Sequence, residues 1–140
     1  MDVRLATRDD LYRIAELTRL LTVHMGAYEW EVENHLKHVT RRFNNSRYIH
    51  IVAVADGKVI AFTGAELKSG KSAYMFKGFV EEAYRRRGVM RVMEARLIEI
   101  LRERGVNKID LLVDTDNPEG RSTWIALGYK TIRETMRKYI

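Results

Sequence analysis

The chain has 140 residues, 46% hydrophobic and 31% charged, which suits a folded domain with its own core and excludes a disordered composition. It has no cysteine, so disulfides, thiolate metal sites and thiol nucleophiles are excluded. Its formal charge of +6, from 25 Lys and Arg against 19 Asp and Glu, favours anionic partners without choosing among nucleic acid, an acidic protein and a polyphosphate. No apolar run reaches the length of a membrane span. The opening MDVRLATRDD has early acids and no apolar signal segment, so a cytoplasmic protein is expected.

In chain order, DVRLA over 2–6 alternates apolar and polar residues and predicts a short strand. Thr7 and Asp10 form a capping-box pattern, with Asp10 in the usual Glu position, and open a helix with Leu11, Ile14, Leu17 and Leu21 on one stripe. A second helix is predicted over 31–43, ended by Asn44, Asn45 and Ser46. YIHIVAVA over 48–55 and KVIAFTGAEL over 58–67 predict two strands joined at Asp56-Gly57, a hairpin signal. After the turn at 68–71, SAYMFKGFV over 72–80 is the next strand. A helix runs to Arg104, with Val89, Met93, Leu97, Ile100 and Leu101 on one face, and Gly105 closes it. KIDLLVD over 108–114 is a strand, 117–127 a helix stopped by Gly128, and 129–139 a last strand. Strands joined by tight turns are antiparallel, while a strand–helix–strand unit gives a parallel pair. The expected fold is therefore α/β (α+β), a mixed, mostly antiparallel sheet with helices on both faces, in a single domain over 1–140.

The stretch YRRRGVM over 84–90 carries the chemistry. Three arginines sit where a helix begins, at the positive end of its macrodipole, where cations are repelled. Free N–H groups at a helix start bind anions, and arginine adds charge-assisted bonds to phosphate. The arrangement calls for a phosphate-bearing ligand.

Two motifs in this order resemble those of GNAT-type N-acetyltransferases, and the resemblance spans nearly the whole chain. The first, Arg/Gln-x-x-Gly-x-Gly/Ala, reads here Arg85-Arg86-Arg87-Gly88-Val89-Met90, preceded by FVEEAY. The second, an Asn followed by a short helix and Leu-Gly-Phe/Tyr, reads Asn117-Pro118-Glu119-Gly120 and then Leu127-Gly128-Tyr129. The resemblance implies that acetyl-CoA is the cosubstrate. Its pyrophosphate would lie on the 85–90 turn with Arg91 nearby, and its pantetheine arm along the backbone of Gly78, Phe79 and Val80. Asn117 would approach from across a splay between the strands flanking the cofactor-binding helix. It implies direct acetyl transfer to a primary amine, either a protein N-terminus or a small molecule.

The sequence departs from the family pattern in three respects. Met90 replaces the small residue that lets backbone approach phosphate. Trp124 stands where many members carry a tyrosine acid seven residues after the Asn, and an indole N–H cannot give up its proton at useful pH; its expected role is a core aromatic. Leu112 stands where N-terminal acetyltransferases carry a glutamate base, and Phe76 or Tyr74 where others do. The remaining base candidates are Asp114, at a strand end near the cleft, Tyr74 and Glu66. His24, His35, His38 and His50 are expected on the surface, with no metal site. The 24–31 segment, HMGAYEWE, is expected on the acceptor side, with Tyr28 and Trp30 packing against substrate. A homodimer through the TIRETMRKYI strand follows by analogy. The alternative to an enzyme is an acyl-CoA-binding regulatory module that has lost catalysis. A nucleic-acid partner is disfavoured, because the basic residues are spread along the chain rather than gathered in a stripe with stacking aromatics.

Overall fold

The computed structural model describes residues 1–26 and 30–140. Five strands form one sheet in the order β1-β2-β3-β4-β5: β1 Asp2–Leu5, β2 Tyr48–Ala55, β3 Lys58–Lys68, β4 Ser72–Val80 and β5 Lys108–Asp110. The helices are α1 Leu11–His24, α2 Val32–Phe43, α3 Val89–Glu103 and α4 Pro118–Ala126. The first four strands pair antiparallel. The β2–β3 turn places Asp56 at φ 51 and Gly57 at φ 76, the left-handed pair that a two-residue hairpin needs. β5 joins β4 in parallel because α3 crosses between them.

The alternation of strand side chains sends two apolar sets to opposite faces. On one face Ile51, Ala53, Ala65 and Met75 meet α3 through Met93 and Leu97, both fully buried. On the other, Val52, Phe62 and Phe79 meet α1 through Leu11, Ile14 and Leu17, with α2 packed beside them. The layering is therefore helix, sheet, helix. At the entry to α1 the Asp10 carboxylate accepts the Thr7 N–H at 2.7 Å and an Arg4 Nη1 hydrogen bond at 2.7 Å. The Arg4 bond holds the Asp10 carboxyl below its ordinary pKa.

Two irregularities shape the end of the sheet where α3 starts. The β3–β4 register passes from Phe62↔Phe79 to Gly64↔Phe76, so β4 carries one extra residue there and bulges. Gly78 sits in this bulge because a Cβ would lie 2.2 Å from the Phe62 carbonyl oxygen. The second irregularity is that β5 contacts β4 only through Ser72↔Lys108, Ala73↔Ile109 and Tyr74↔Asp110. Past Tyr74, β4 continues to Val80 paired with β3 alone, without β5 on its other side, which opens the splay expected above.

The other boundaries differ little from expectation, with three corrections. The 108–114 strand stops at Asp110, because the splay removes its partner. Residues 129–139 form no strand: among the described residues no strand pairs with them, and a strand exists only through its neighbour's hydrogen bonds. His35 and His50 are buried, not on the surface. His35 lies under the Trp30 ring at 5.6 Å between centroids, and His50 sits on β2 against Phe43, Tyr48 and Phe76. No helix among the described residues is long and apolar enough to cross a membrane.

Candidate active site

The splay is a cleft of about 480 Å³. Met75, Phe76, Lys77 and Gly78 of β4 form one wall, and 111–114 with Asn117 and Trp124 the other. Met90 of α3 closes one end, and Leu21, His24 and Met25 at the end of α1 overhang it. The walls come from different layers, so no single sequence segment contains the site.

At the start of α3, Gly88 is the cap residue at φ 74, and no side chain caps the helix. The first helical bond runs from the Val92 N–H to the Gly88 carbonyl at 3.1 Å, so the N–H groups of Val89, Met90 and Arg91 have no intrahelical acceptor. Arg86 is also left-handed, at φ 62, which is strained for a residue with a Cβ. The chain thus enters α3 through two left-handed residues, Arg86 and Gly88, separated by Arg87. Val89 is buried in the core, so its N–H is what it can offer a ligand. Met90 packs partly into the α3–sheet core as well as facing the cleft, which relieves the crowding its length would cause.

The three arginines behave differently. Arg85 turns back: its Nε donates to the Val80 carbonyl at 2.9 Å, and its guanidinium lies 4.8 Å from the centre of the Phe79 ring. It ties the turn to the end of β4. Arg87 lies over the Tyr84 ring at 5.6 Å, and Tyr84 donates to Asp56 at 2.6 Å. Arg86 and Arg91 are exposed. Of Gly78, Phe79 and Val80, Gly78 lines the cleft, Phe79 is buried against α1, and the Val80 carbonyl is already taken by Arg85. Across the cleft, Asn117 caps α4 by accepting the Gly120 N–H at 3.1 Å. A Cβ on Gly120 would come within 2.4 Å of the Asn117 amide, so this glycine holds Asn117 in place.

Of the three base candidates, the fold brings only Asp114 to the cleft. Its Oδ2 accepts from Lys77 Nζ at 2.9 Å, an ion pair spanning the two walls. Tyr74 and Glu66 are cross-strand neighbours one step away, and Glu66 is paired with Lys68 at 3.1 Å. Leu112 lines the cleft at 67% exposure and Trp124 lines it half-buried, edge-on to Tyr129 at 5.5 Å. Trp124 thus serves both the core and the cleft. The Tyr129 hydroxyl is buried without a hydrogen-bond partner among the described residues, and burial together with the nearby Glu94 charge pushes its pKa up.

Sequence reading missed Lys77 and the burial of His50 among aromatic rings. Lys77 had a signal, as the lone charge within SAYMFKGFV. His24 lies edge-on to Phe79 at 6.4 Å, at the cleft roof. Burial, and then the Arg42 charge, push the His50 pKa down to about 4, and the Phe76 ring beside it, at 5.4 Å, lines the cleft. Trp30 stacks on His38 at 5.0 Å, away from the cleft wall, and Tyr28 lies outside the described residues.

The sequence profile of the Acetyltransferase (GNAT) family matches residues 11–129. No curated protein matches the chain. Among solved structures, a possible acetyltransferase from Clostridium difficile 630 superposes with a TM-score of 0.83 at 20% identity, over 99% of this chain and 96% of its own. A Bacillus halodurans protein solved as a tetramutant gives 0.85 at 20% identity, over 100% of each chain. An aminoglycoside N-acetyltransferase in complex with CoA gives 0.85 at 18% identity, over 99% of this chain and 93% of its own. At these identities the likeness is one of fold.

Proposed function

Because the chain belongs to the GNAT acetyltransferase family, we propose that it is an N-acetyltransferase that moves an acetyl group from acetyl-CoA directly to a primary amine. The observation that carries this reading is the uncapped, glycine-led start of α3 opening onto the cleft between β4 and the 111–114 segment. Three unpaired N–H groups on a helix dipole suit a pyrophosphate, with exposed Arg86 and Arg91 adding charge. The open edge of β4 past Tyr74 suits the amide groups of a pantetheine arm, which would add to it as a further strand. Asn117 faces that arm from the opposite wall. The acceptor, a protein N-terminus or a small-molecule amine, enters under Leu21, His24 and Met25. On this reading the whole chain, 1–140, acts as one cytoplasmic acetyltransferase domain.

In the reaction the neutral amine nitrogen attacks the thioester carbonyl carbon, the C–S bond breaks, CoA leaves as thiolate, and the amine sheds a proton. Two carboxylates among the described residues line the cleft, Asp114 and Asp116, and we assign Asp114 to take that proton, directly or through water. Its bond to Lys77 competes for the same oxygen. An α-amino group, with a pKa near 8, needs less help than a lysine side chain near 10.4. Bringing thioester and amine together in one cleft supplies much of the rate.

The Asp114–Lys77 pair and Trp124 at the acid position also favour a second reading, a CoA-binding module that does not turn over. Calorimetric titration with acetyl-CoA, followed by thiol release with a panel of primary amines, separates the two. Binding with amine-dependent thiol release supports the enzyme. Binding without release from any amine supports the module, and no binding defeats both.

A further inference from the structure

The reaction proposed above leaves one charge without a partner. When the C–S bond breaks, its electron pair stays on sulfur and CoA departs as a thiolate. Trp124 fills the position of the tyrosine acid, and its indole N–H keeps its proton. Asn117 carries an amide, which donates hydrogen bonds but gives up no proton either. Of the described residues that line the cleft, only Lys77 and His24 have side chains that can carry a positive charge. His24 hangs from the end of α1, where the acceptor enters, with its ring edge-on to Phe79 at 6.4 Å. Lys77 lies on β4, the wall along which the cofactor arm would run.

The backbone holds Lys77 from both sides. The residue lies in the β4 bulge, between the Gly64↔Phe76 and Phe62↔Phe79 pairs, and a bulge re-aims the side chain it carries. Just before it, the hydroxyl of the fully buried Thr63 donates to the Phe76 carbonyl at 3.2 Å. Just after it, Gly78 lies so close to β3 that a Cβ would meet the Phe62 carbonyl. Pairing with β5 has already stopped at Tyr74, so the Lys77 side chain crosses the splay and reaches Asp114 Oδ2 at 2.9 Å. Met75, Leu111, Val113 and Trp124 give the same cleft apolar walls, beside which charges are screened less than in open water. The direction of the strand then places the sulfur. With the pyrophosphate at the start of α3, an arm running back along the open edge of β4 passes Val80 and Gly78 and comes next to Lys77.

We propose that Lys77 is the catalytic residue that receives the CoA thiolate, and that with Asp114 it closes the proton cycle of the transfer. The amine nitrogen bonds to the carbonyl carbon, the C–S bond breaks with its electron pair on sulfur, and the Lys77 ammonium pairs with the thiolate. Asp114 takes the proton that the amine loses. Lys77 gives one N–H proton to sulfur and recovers one from Asp114, so the products are the amide and the CoA thiol, and both side chains end as they began. The 2.9 Å contact between them is the path for that return. The proposal rests on the acetyl-CoA reading, but its test is made on CoA alone and needs no acceptor.

The chain has no cysteine, so a thiolate absorbance in its CoA complex belongs to CoA. Spectrophotometric pH titration of that complex, with the desulfo-CoA complex as the blank for tyrosine ionisation, reads the thiol directly. An unperturbed thiol titrates at about 8.5, and a cation beside it favours the thiolate. In wild type the bound thiol should titrate at least about one pH unit lower than free CoA. Lys77→Met keeps the aliphatic stem and should return it to the free value, while Lys77→Arg should hold it low. Asp114→Asn should lower it further, because it removes the carboxylate that neutralises Lys77. Circular dichroism verifies that each variant folds. CoA that binds with an unshifted thiol overturns the proposal and leaves the cofactor site standing, as does a shift that survives Lys77→Met. If calorimetry finds no CoA binding to wild type, the acetyltransferase reading fails and this proposal falls with it.

Discussion

Replacing Gly88 with tryptophan isolates the anion site from the fold. Gly88 sits at φ 74 with nothing within 4 Å of the position a Cβ would take. A Cβ there therefore meets no neighbour, and Gly88 directly precedes the free N–H groups of α3, so an indole at this position is expected to crowd them. The cost to folding is the left-handed backbone alone, about 1–2 kcal/mol, or a Tm lower by roughly 3–8 °C. Gly70 provides the control. It has φ 71, again with nothing within 4 Å, and lies in the β3–β4 turn at the far end of β4. Gly70→Trp should lose the same stability. Binding should separate the two variants. A charged hydrogen bond contributes about 1.5–3 kcal/mol, so blocking two of the three free amides removes about 3–6 kcal/mol, roughly 10²–10⁴-fold in affinity. Calorimetric titration of acetyl-CoA into wild type and both variants reads this directly. If Gly88→Trp binds like wild type, or Gly70→Trp loses as much, the site is elsewhere and the helix-terminus reasoning fails.

Burial holds the His50 pKa at about 4, against an ordinary value near 6.5, so the unfolded chain takes up the proton first as pH falls. The stabilisation is complete above pH ~6.5 and is lost between about 6.5 and 4; the shift corresponds to about 3 kcal/mol, and His50→Phe should flatten that part of a stability–pH curve measured by denaturant titration. Asp10 has the opposite chemistry but the same direction: its lowered pKa adds stability above the ordinary carboxylate range that disappears on acidification, and Asp10→Asn should cost about 2 kcal/mol in chemical denaturation. The Lys77–Asp114 pair is largely exposed, so Asp114→Asn should change stability by no more than about 0.5 kcal/mol. If Asp114 accepts the amine proton, the same change lowers kcat roughly 10²–10⁴-fold and removes the acid limb of the pH–rate profile; an unchanged profile removes Asp114 from the reaction. Met93→Ala, at a fully buried contact between α3 and the sheet, should cost about 2–5 kcal/mol in denaturant titration while leaving the cleft residues in place.

Local pattern was enough for much of the fold. β2 and β4 begin and end where alternation and turn residues placed them, because Asp56-Gly57 and the 68–71 turn have one favourable backbone solution each. The α3 stripe of Met93, Leu97 and Ile100 follows from helical period alone. The arginine–glycine turn was legible for the same reason, since its chemistry lies within six consecutive residues. Tertiary structure decided what depends on distant partners. Strand 108–114 has the pattern of a longer strand, but β5 ends at Asp110 because its pairing with β4 stops at Tyr74. The 129–139 segment has the alternation of a strand and no neighbour to make it one. Lys77 meets Asp114 across 37 positions of sequence, and His50 meets Phe76 across 26. Residues separated so far become neighbours only through sheet register and crossover. The sequence therefore determined the elements and the anion-binding turn, whose hydrogen bonds are local, while the cleft's walls, its ion pair and its buried histidine awaited packing, because each is a contact between layers.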